Sequence, residues 1–350
     1  MSNNCHFLFA SNLFSLIRVR VINIVSLSFT FNSQTLPLHT GFYVAGVQCH
    51  LSTNSAEILK SVSRWQTSNV GNSSSFEMEI IVDCRLEAAV ERPAYFRGNG
   101  HLVFGFLPPG SFISYDLHRK YVRAVLSTKA ARDESFWRSL LIPITIGILG
   151  TTVGVVPLHC ACLEKNDNGL LISGDSGAGK STLTAALTQR GYALISDDWT
   201  YFSKEQSALV AHGLFSPIKL LPDAVQFFRE LGELTPAIFL NGELAYEVDP
   251  ARFAGSASKN TSRPSRIFFL ERTSQPGCHF VPCSSASIRD FFEKSAERLP
   301  EELIDAKTLR TSLIGTLSAL PSWVLRTGES PQRTSKAIDH FILENKYATA

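Results

Sequence analysis

Short runs of alternating apolar and polar residues set the rhythm of the first half of the chain. Strand-like patterns cover Phe42–Leu51, Phe76–Asp83, His101–Phe106 and Phe112–Leu126, and a helical period covers Asn54–Trp65. Asn72-Ser73-Ser74-Ser75 and Leu107-Pro108-Pro109-Gly110 read as turns between them. The run from Arg85 to Arg97 carries several charges and reads as a solvated loop. Phe136–Leu149 is almost wholly apolar and predicts a buried helix, kinked or restarted at Pro143.

From about Gly154 onward the pattern becomes strand, loop, helix. Leu170–Ser173 predicts a short strand, Ser181–Arg190 a helix closed by Gly191, and Tyr192–Ser196 the next strand. Further helices are expected at Asp223–Leu231, Ser287–Leu299, Thr308–Leu320 and Thr334–Leu343, with Ser287 and Asp290 as a capping box. Strands are expected at Arg266–Leu270, His279–Pro282 and Trp323–Arg326. Helices interleaved with short apolar strands argue for an α/β domain.

Composition changes this picture little. With 350 residues, 44% hydrophobic and 18% charged, the chain is globular and long enough for two domains. A net charge of +2 from 33 basic and 31 acidic residues gives no pull towards nucleic acid. Seven cysteines without framework spacing point to reduced thiols and a cytoplasmic setting. The stretch Phe7–Phe31 is mostly apolar, but no basic residue precedes it, so a signal peptide is not expected. Arg18 and Arg20 lie in its middle, and each would cost roughly 2.5–3.5 kcal/mol at a bilayer centre, which argues against stable membrane insertion. Residues 1–34 are either an extra strand or a leader translated from upstream of the true start.

Chemistry concentrates between His159 and Trp199. Gly174-Asp175-Ser176-Gly177-Ala178-Gly179-Lys180-Ser181 matches the phosphate-loop pattern and sits between a predicted strand and a predicted helix. Its glycines let successive amides converge on phosphate oxygens, and the helix N-terminus adds partial positive charge. Lys180 can reach the β- and γ-phosphates, Ser181 can ligate magnesium, and Thr182 continues the first helical turn. ATP with magnesium is therefore the expected ligand.

Asp197 and Asp198 follow at the end of the next predicted strand. In an α/β sheet the ligand lies beyond the carboxyl ends of strands, and a parallel neighbour would deliver this pair beside the loop. One carboxylate would contact the metal, with Asp198 and Ser181 as the expected ligands, and the other would take a proton from an attacking hydroxyl. Lys219, Arg263, Arg266 and Arg272 are candidates for an added phosphate contact. A zinc site from His159-Cys160-Ala161-Cys162 and Cys278-His279 with Cys283 lacks knuckle spacing; Cys160 and Cys162 read instead as one face of a buried strand.

The stretch His159–Trp199 resembles the catalytic core of HPr kinase/phosphorylase and its relatives. The resemblance rests on His159, the loop Gly174–Ser181, the helix end Gln189-Arg190-Gly191, and Leu194-Ile195-Ser196-Asp197-Asp198. It implies a nucleotide fold like that of phosphoenolpyruvate carboxykinase, with Lys180 and Ser181 on nucleotide phosphates and magnesium. It also implies Asp197 and Asp198 as base and metal contact, and His159 beside the transferred phosphoryl group. The chain departs from that family at Thr182, where an acidic residue is usual, and lacks an Arg-Gly-Leu-Gly signature associated with phosphorolysis.

Together these readings predict an α/β protein with a smaller α/β region over 35–150 and an HPr-kinase-like ATP-binding domain over 151–346. The expected activity is phosphoryl transfer from ATP to a hydroxyl on a protein serine or a small molecule, without phosphorylase activity. A nucleotide-binding regulatory module without turnover is the alternative, and a decarboxylating carboxykinase a third reading that lacks a second metal-ligand set. The acceptor is left open, as is assembly into a homo-oligomer.

Overall fold

The computed structural model describes residues 36–65, 74–88, 95–107, 110–214, 217–239, 243–253, 258–296 and 299–345. The expectations for residues 1–34 lie outside them, as do parts of the two predicted turns and of the charged run before Arg97. The chain divides into two units. One closes at Val155 and takes in Glu297–Thr308; the other holds Val156–Ala296 and the chain from Leu309.

The first unit is built on a seven-stranded sheet. Its strands, in spatial order, are Leu38–Val44, Val47–Thr53, Ser75–Val82, Tyr121–Leu126, Ser111–Asp116, Leu102–Leu107 and Tyr95–Asn99. Only the pairs around Ser75–Val82 are parallel. The run Phe42–Leu51, expected as one strand, is a hairpin in which Ala45 and Gly46 have φ of 49° and 77°. Two successive left-handed residues make the tight turn whose twist suits paired strands. Phe112–Leu126 likewise folds back before Lys120. The first turn holds only Ala45 and Gly46 between apolar runs, whereas the second is marked by His118-Arg119-Lys120.

The apolar helix is real and continuous over Glu134–Val153, and 83% of its most apolar window is buried. A π turn at Trp137–Leu141, closed by the Ile142 amide donating to the Trp137 carbonyl, precedes Pro143. The widened turn lets the helix pass the proline, which lacks a donor, without breaking. Tyr115 and Thr145 share a 3.4 Å hydrogen bond that ties this helix to the sheet.

The second unit centres on six strands in the order Ala193–Ser196, Ala161–Lys165, Asn168–Ser173, Pro264–Arg272, Ser322–Thr327 and Cys278–Pro282. Asn168–Ser173, Pro264–Arg272 and Ser322–Thr327 are parallel, and the flanking pairs are antiparallel. Helices Lys180–Thr188 and Pro331–Glu344 belong to one face, where Leu163, Leu183, Leu187, Phe268 and Ile338 form the core. On the other, Leu171, Ile195, Phe202, Phe269, Phe292 and Leu313 pack beside helices Ser285–Ser295 and Ile304–Leu317. Cys160 and Cys162 join that core, and burial pushes the Cys160 thiol up to about 12.

Two local expectations are corrected. Asp223–Leu231 forms two short 3-10 segments, Pro222–Gln226 and Arg229–Glu233, rather than one α-helix. The helix over Ser285–Ser295 is capped by Ser284, whose hydroxyl accepts the Ser287 amide, while Asp290 pairs with Lys294 at 2.7 Å. The chain is a mixed α/β protein with several sheets.

Candidate active site

Strand Asn168–Ser173 ends in the glycine loop. Gly174 has φ of 141°, and a Cβ there would lie 2.5 Å from the Leu270 carbonyl oxygen. Any side chain would push the loop off the neighbouring strand, so the close approach requires glycine. Gly179, at φ 92°, opens the helix Lys180–Thr188 with no side chain capping it. The first amides of that helix therefore remain available to an anion.

Lys180 is buried and folds back over the loop, donating to the carbonyls of Gly174 at 2.9 Å and Asp175 at 3.0 Å. Burial pulls its pKa down, opposed by the charges of Asp198 and Asp197. The loop faces an open pocket of 540 Å³ lined also by Phe269, Arg272 and Phe291. Thr182 lines a smaller one of 140 Å³ with Asp223 and Phe227.

The acidic pair reaches the same sheet edge by another route than expected. Ala193–Ser196 is not adjacent to the loop strand; Ala161–Lys165 lies between them, antiparallel to both. Two antiparallel steps restore the direction, so the chain still leaves Ser196 at the loop's edge. Asp197 and Asp198 occupy the bend that follows. Thr200 donates to the Cys160 carbonyl at 2.7 Å and bonds the Ser196 hydroxyl, which pins both ends of the bend.

His159 comes from a second sheet, where Val156–His159 pairs with Trp199–Glu205 and sets His159 opposite Trp199. That register places Asp198 within reach. The His159 Nε2 lies 2.8 Å from Asp198 Oδ1, and the Trp199 ring stands 5.7 Å away, centroid to centroid. The Ser173 hydroxyl, at the foot of the loop, donates to the His159 carbonyl at 3.3 Å.

The two carboxylates are in unlike surroundings. Asp197 is buried; its Oδ2 accepts the Lys219 amide at 3.2 Å, and its Oδ1 is buried with no hydrogen-bond partner among the described residues. Burial, then the charge of Asp198, pushes Asp197 up to about 7, against the Lys219 amide, the Ser181 hydroxyl and Lys180. The Asp198 side chain keeps 39% of its surface exposed. Burial of the bend would raise its pKa, but the His159 hydrogen bond and charge, then Lys219 and Lys180, hold it below the usual carboxylate range. One site thus holds a charged acid and a proton-retaining acid side by side.

Among the four basic candidates the structure separates two from two. Lys219 stands at the acidic bend, and Arg272 lines the loop pocket while donating to the Glu329 carbonyl at 3.1 Å. Arg263 and Arg266 lie at the other end of the same strand, where Pro264 pairs with Gly169. A buried acid oxygen without a donor, with the Ser181 hydroxyl against that carboxylate, fits a hard cation, which takes oxygen ligands. Trp199 carried no signal of its own beyond following the acidic pair.

The model of the HPr Serine kinase C-terminal domain matches residues 154–216. HPr kinase/phosphorylase of Treponema pallidum subsp. pallidum is 31% identical over 115 residues, 33% of this chain and 34% of that protein. The protein of Treponema pallidum strain Nichols matches with the same identity and coverage. The solved HPr(Ser) kinase/phosphatase from Coxiella burnetii shares 15% identity with a TM-score of 0.30, over 54% of this chain and 98% of that one. The matched stretch covers about a third of the length of the curated relatives, at 34%. The family-model match, residues 154–216, spans His159, the glycine loop and the acidic pair, and it is there that the chain is similar to the HPr Serine kinase C-terminal domain.

Proposed function

We propose that this chain is an ATP- and magnesium-dependent kinase of the cytoplasm that transfers the γ-phosphate to a hydroxyl and does not run phosphorolysis. The observation that carries the reading is the 2.8 Å contact of His159 with Asp198, beside a buried Asp197, at the edge where the glycine loop ends. The amides from Gly174 to Ser181, the helix N-terminus and Lys180 are suited to hold the triphosphate, with Thr182 at the start of the helix.

Ser181 and Asp197 would hold magnesium, in place of the Asp198 contact expected from sequence, because the unpartnered oxygen belongs to Asp197. A magnesium ion held by these two side chains would supply positive charge to offset that of the phosphates. Asp198 is then the base: it is ionised, partly exposed and oriented by His159. The acceptor oxygen gives its proton to Asp198 and attacks the γ-phosphorus. The bond from that phosphorus to the β–γ bridging oxygen breaks, and ADP leaves with the electron pair.

Transfer of labelled γ-phosphate into cell extract, followed by identification of the labelled species, tests the reading. Asp198→Asn should lower transfer by at least ~100-fold with the fold intact. ATP binding without turnover towards any acceptor would favour the regulatory module. Pyrophosphate release from the phosphorylated acceptor and inorganic phosphate, at a rate like that of transfer, would contradict the forward-only assignment.

A further inference from the structure

Lys219, one of the four basic candidates for an added phosphate contact, stands at the acidic edge and has no part in the proposed step as written above. It lies on the short strand Ile218–Leu220, paired with Leu244–Val248. Its backbone amide donates to Asp197 Oδ2 at 3.2 Å, which docks the strand on the acidic bend whatever the side chain does. Its ammonium rests 4.2 Å from the centroid of the Phe239 ring.

The company of this lysine differs from that of three others in the same unit. Lys165 meets Asp339 at 3.3 Å, Lys294 meets Asp290 at 2.7 Å, and Lys259 pairs with Glu164. Among the described residues no carboxylate lies within ion-pair distance of the Lys219 ammonium. An aromatic face steadies a cation without neutralising it, as a carboxylate would. Asp198, Glu247, Asp197 and Glu243 are the acids whose charges reach it. A half-buried ammonium that makes no ion pair among the described residues, on a strand docked on the acidic bend, is placed to act on negative charge that appears during reaction.

We infer that Lys219 is a further catalytic residue, whose ammonium contacts the non-bridging oxygens of the phosphoryl group in transit from the side of the acidic pair. The inference rests on the kinase reading proposed above. Lys180 holds the phosphates in the ground state through the loop; Lys219 adds its field where charge redistributes as the bond to ADP breaks. Such a group raises kcat more than it lowers KM for ATP.

The test needs no acceptor. ADP with magnesium is titrated into the full chain with and without aluminium fluoride, which takes the place of the transferred phosphoryl group. Lys219→Met should keep ADP affinity within about threefold and lose at least ~30-fold of the tightening that fluoride confers, since only the in-transit group is contacted. Lys219→Arg should recover part of it, and Phe239→Leu should fall between wild type and Lys219→Met. Thermal melts confirm that each variant is folded. Full fluoride tightening in Lys219→Met overturns the inference, as does equal loss of ADP and of the fluoride complex. A wild-type protein that binds ADP without tightening also overturns it. No ADP binding by the wild type would instead remove the kinase reading beneath it.

Discussion

Two acid clusters in the second unit are built from similar parts and finished differently. At Asp339, on the helix Pro331–Glu344, every donor in reach is used: Arg190 Nε at 2.6 Å, the Tyr192 hydroxyl at 2.9 Å and Lys165 at 3.3 Å. Burial would raise this carboxyl, but those hydrogen bonds and charges hold it below its ordinary range. At the bend after Ser196, Asp197 keeps an oxygen unpartnered and is pushed up to about 7, while Asp198 is exposed on one side. A saturated acid joins elements of the fold. An unsaturated one stores electrostatic free energy that a bound cation and phosphate would release, and this is the physical mark of a site.

The contrast makes opposite predictions for the same chemical change. Asp339→Ala strands Arg190 and Lys165 and should cost roughly 3 kcal/mol of stability, read by urea unfolding, with ATP affinity little changed in the folded protein. Loss of ATP binding with an unchanged unfolding midpoint would reverse the roles of the two clusters.

Asp197→Asn should do the reverse. The folded pKa of Asp197, about 7, lies above its ordinary value of 3.8, so the fold holds a proton that the unfolded chain releases. This stability is complete below pH 4 and is lost as pH rises through 7. In chelator, the wild type should therefore lose about 2–3 kcal/mol between pH 5 and pH 8 that Asp197→Asn does not lose. Magnesium should raise the melting temperature of the wild type at pH 8 and leave the variant unmoved. Parallel pH profiles for the two proteins would mean that Asp197 is ionised without cost.

The smallest expected effect is at His212, a buried group outside both clusters whose ring bonds the Ser203 hydroxyl at 2.8 Å. Burial lowers its pKa from 6.5 to about 4, so the fold keeps it neutral. Its contribution is present above pH 6.5 and lost as pH falls towards 4. Between pH 7 and pH 5 this amounts to about 2 kcal/mol at most. His212→Gln should flatten that acid limb in unfolding experiments; an unchanged limb would assign it elsewhere.

How much of this was readable in sequence follows from the range of each interaction. The glycine loop is local: Gly174, Gly177 and Gly179 stand where left-handed backbone or close approach is needed, and composition alone marks them. The acidic bend was readable as the end of a strand, yet not its neighbour. Ala161–Lys165 enters between the two strands because a hairpin at Asn166 and Asp167, with φ of 53° and 59°, turns it back on the loop strand. Asn and Asp tolerate left-handed backbone, so the turn was marked by composition, but nothing local says which strand the returning chain will join. His159 meets Asp198 through a register in a second sheet, a pairing across about forty residues that periodicity does not encode. The same limit applies to Lys219, one of four basic candidates in the sequence, which only the docking of its strand on Asp197 sets apart.

Calorimetric titration of ATP with magnesium into wild type and Lys180→Ala tests most directly whether the loop and the acidic pair form one nucleotide site. The wild type should bind, and Lys180→Ala should abolish binding while melting as a folded protein, because the loop then lacks its one side-chain cation. Unchanged affinity in the folded variant would contradict the assignment of the loop and, with it, the kinase proposed here.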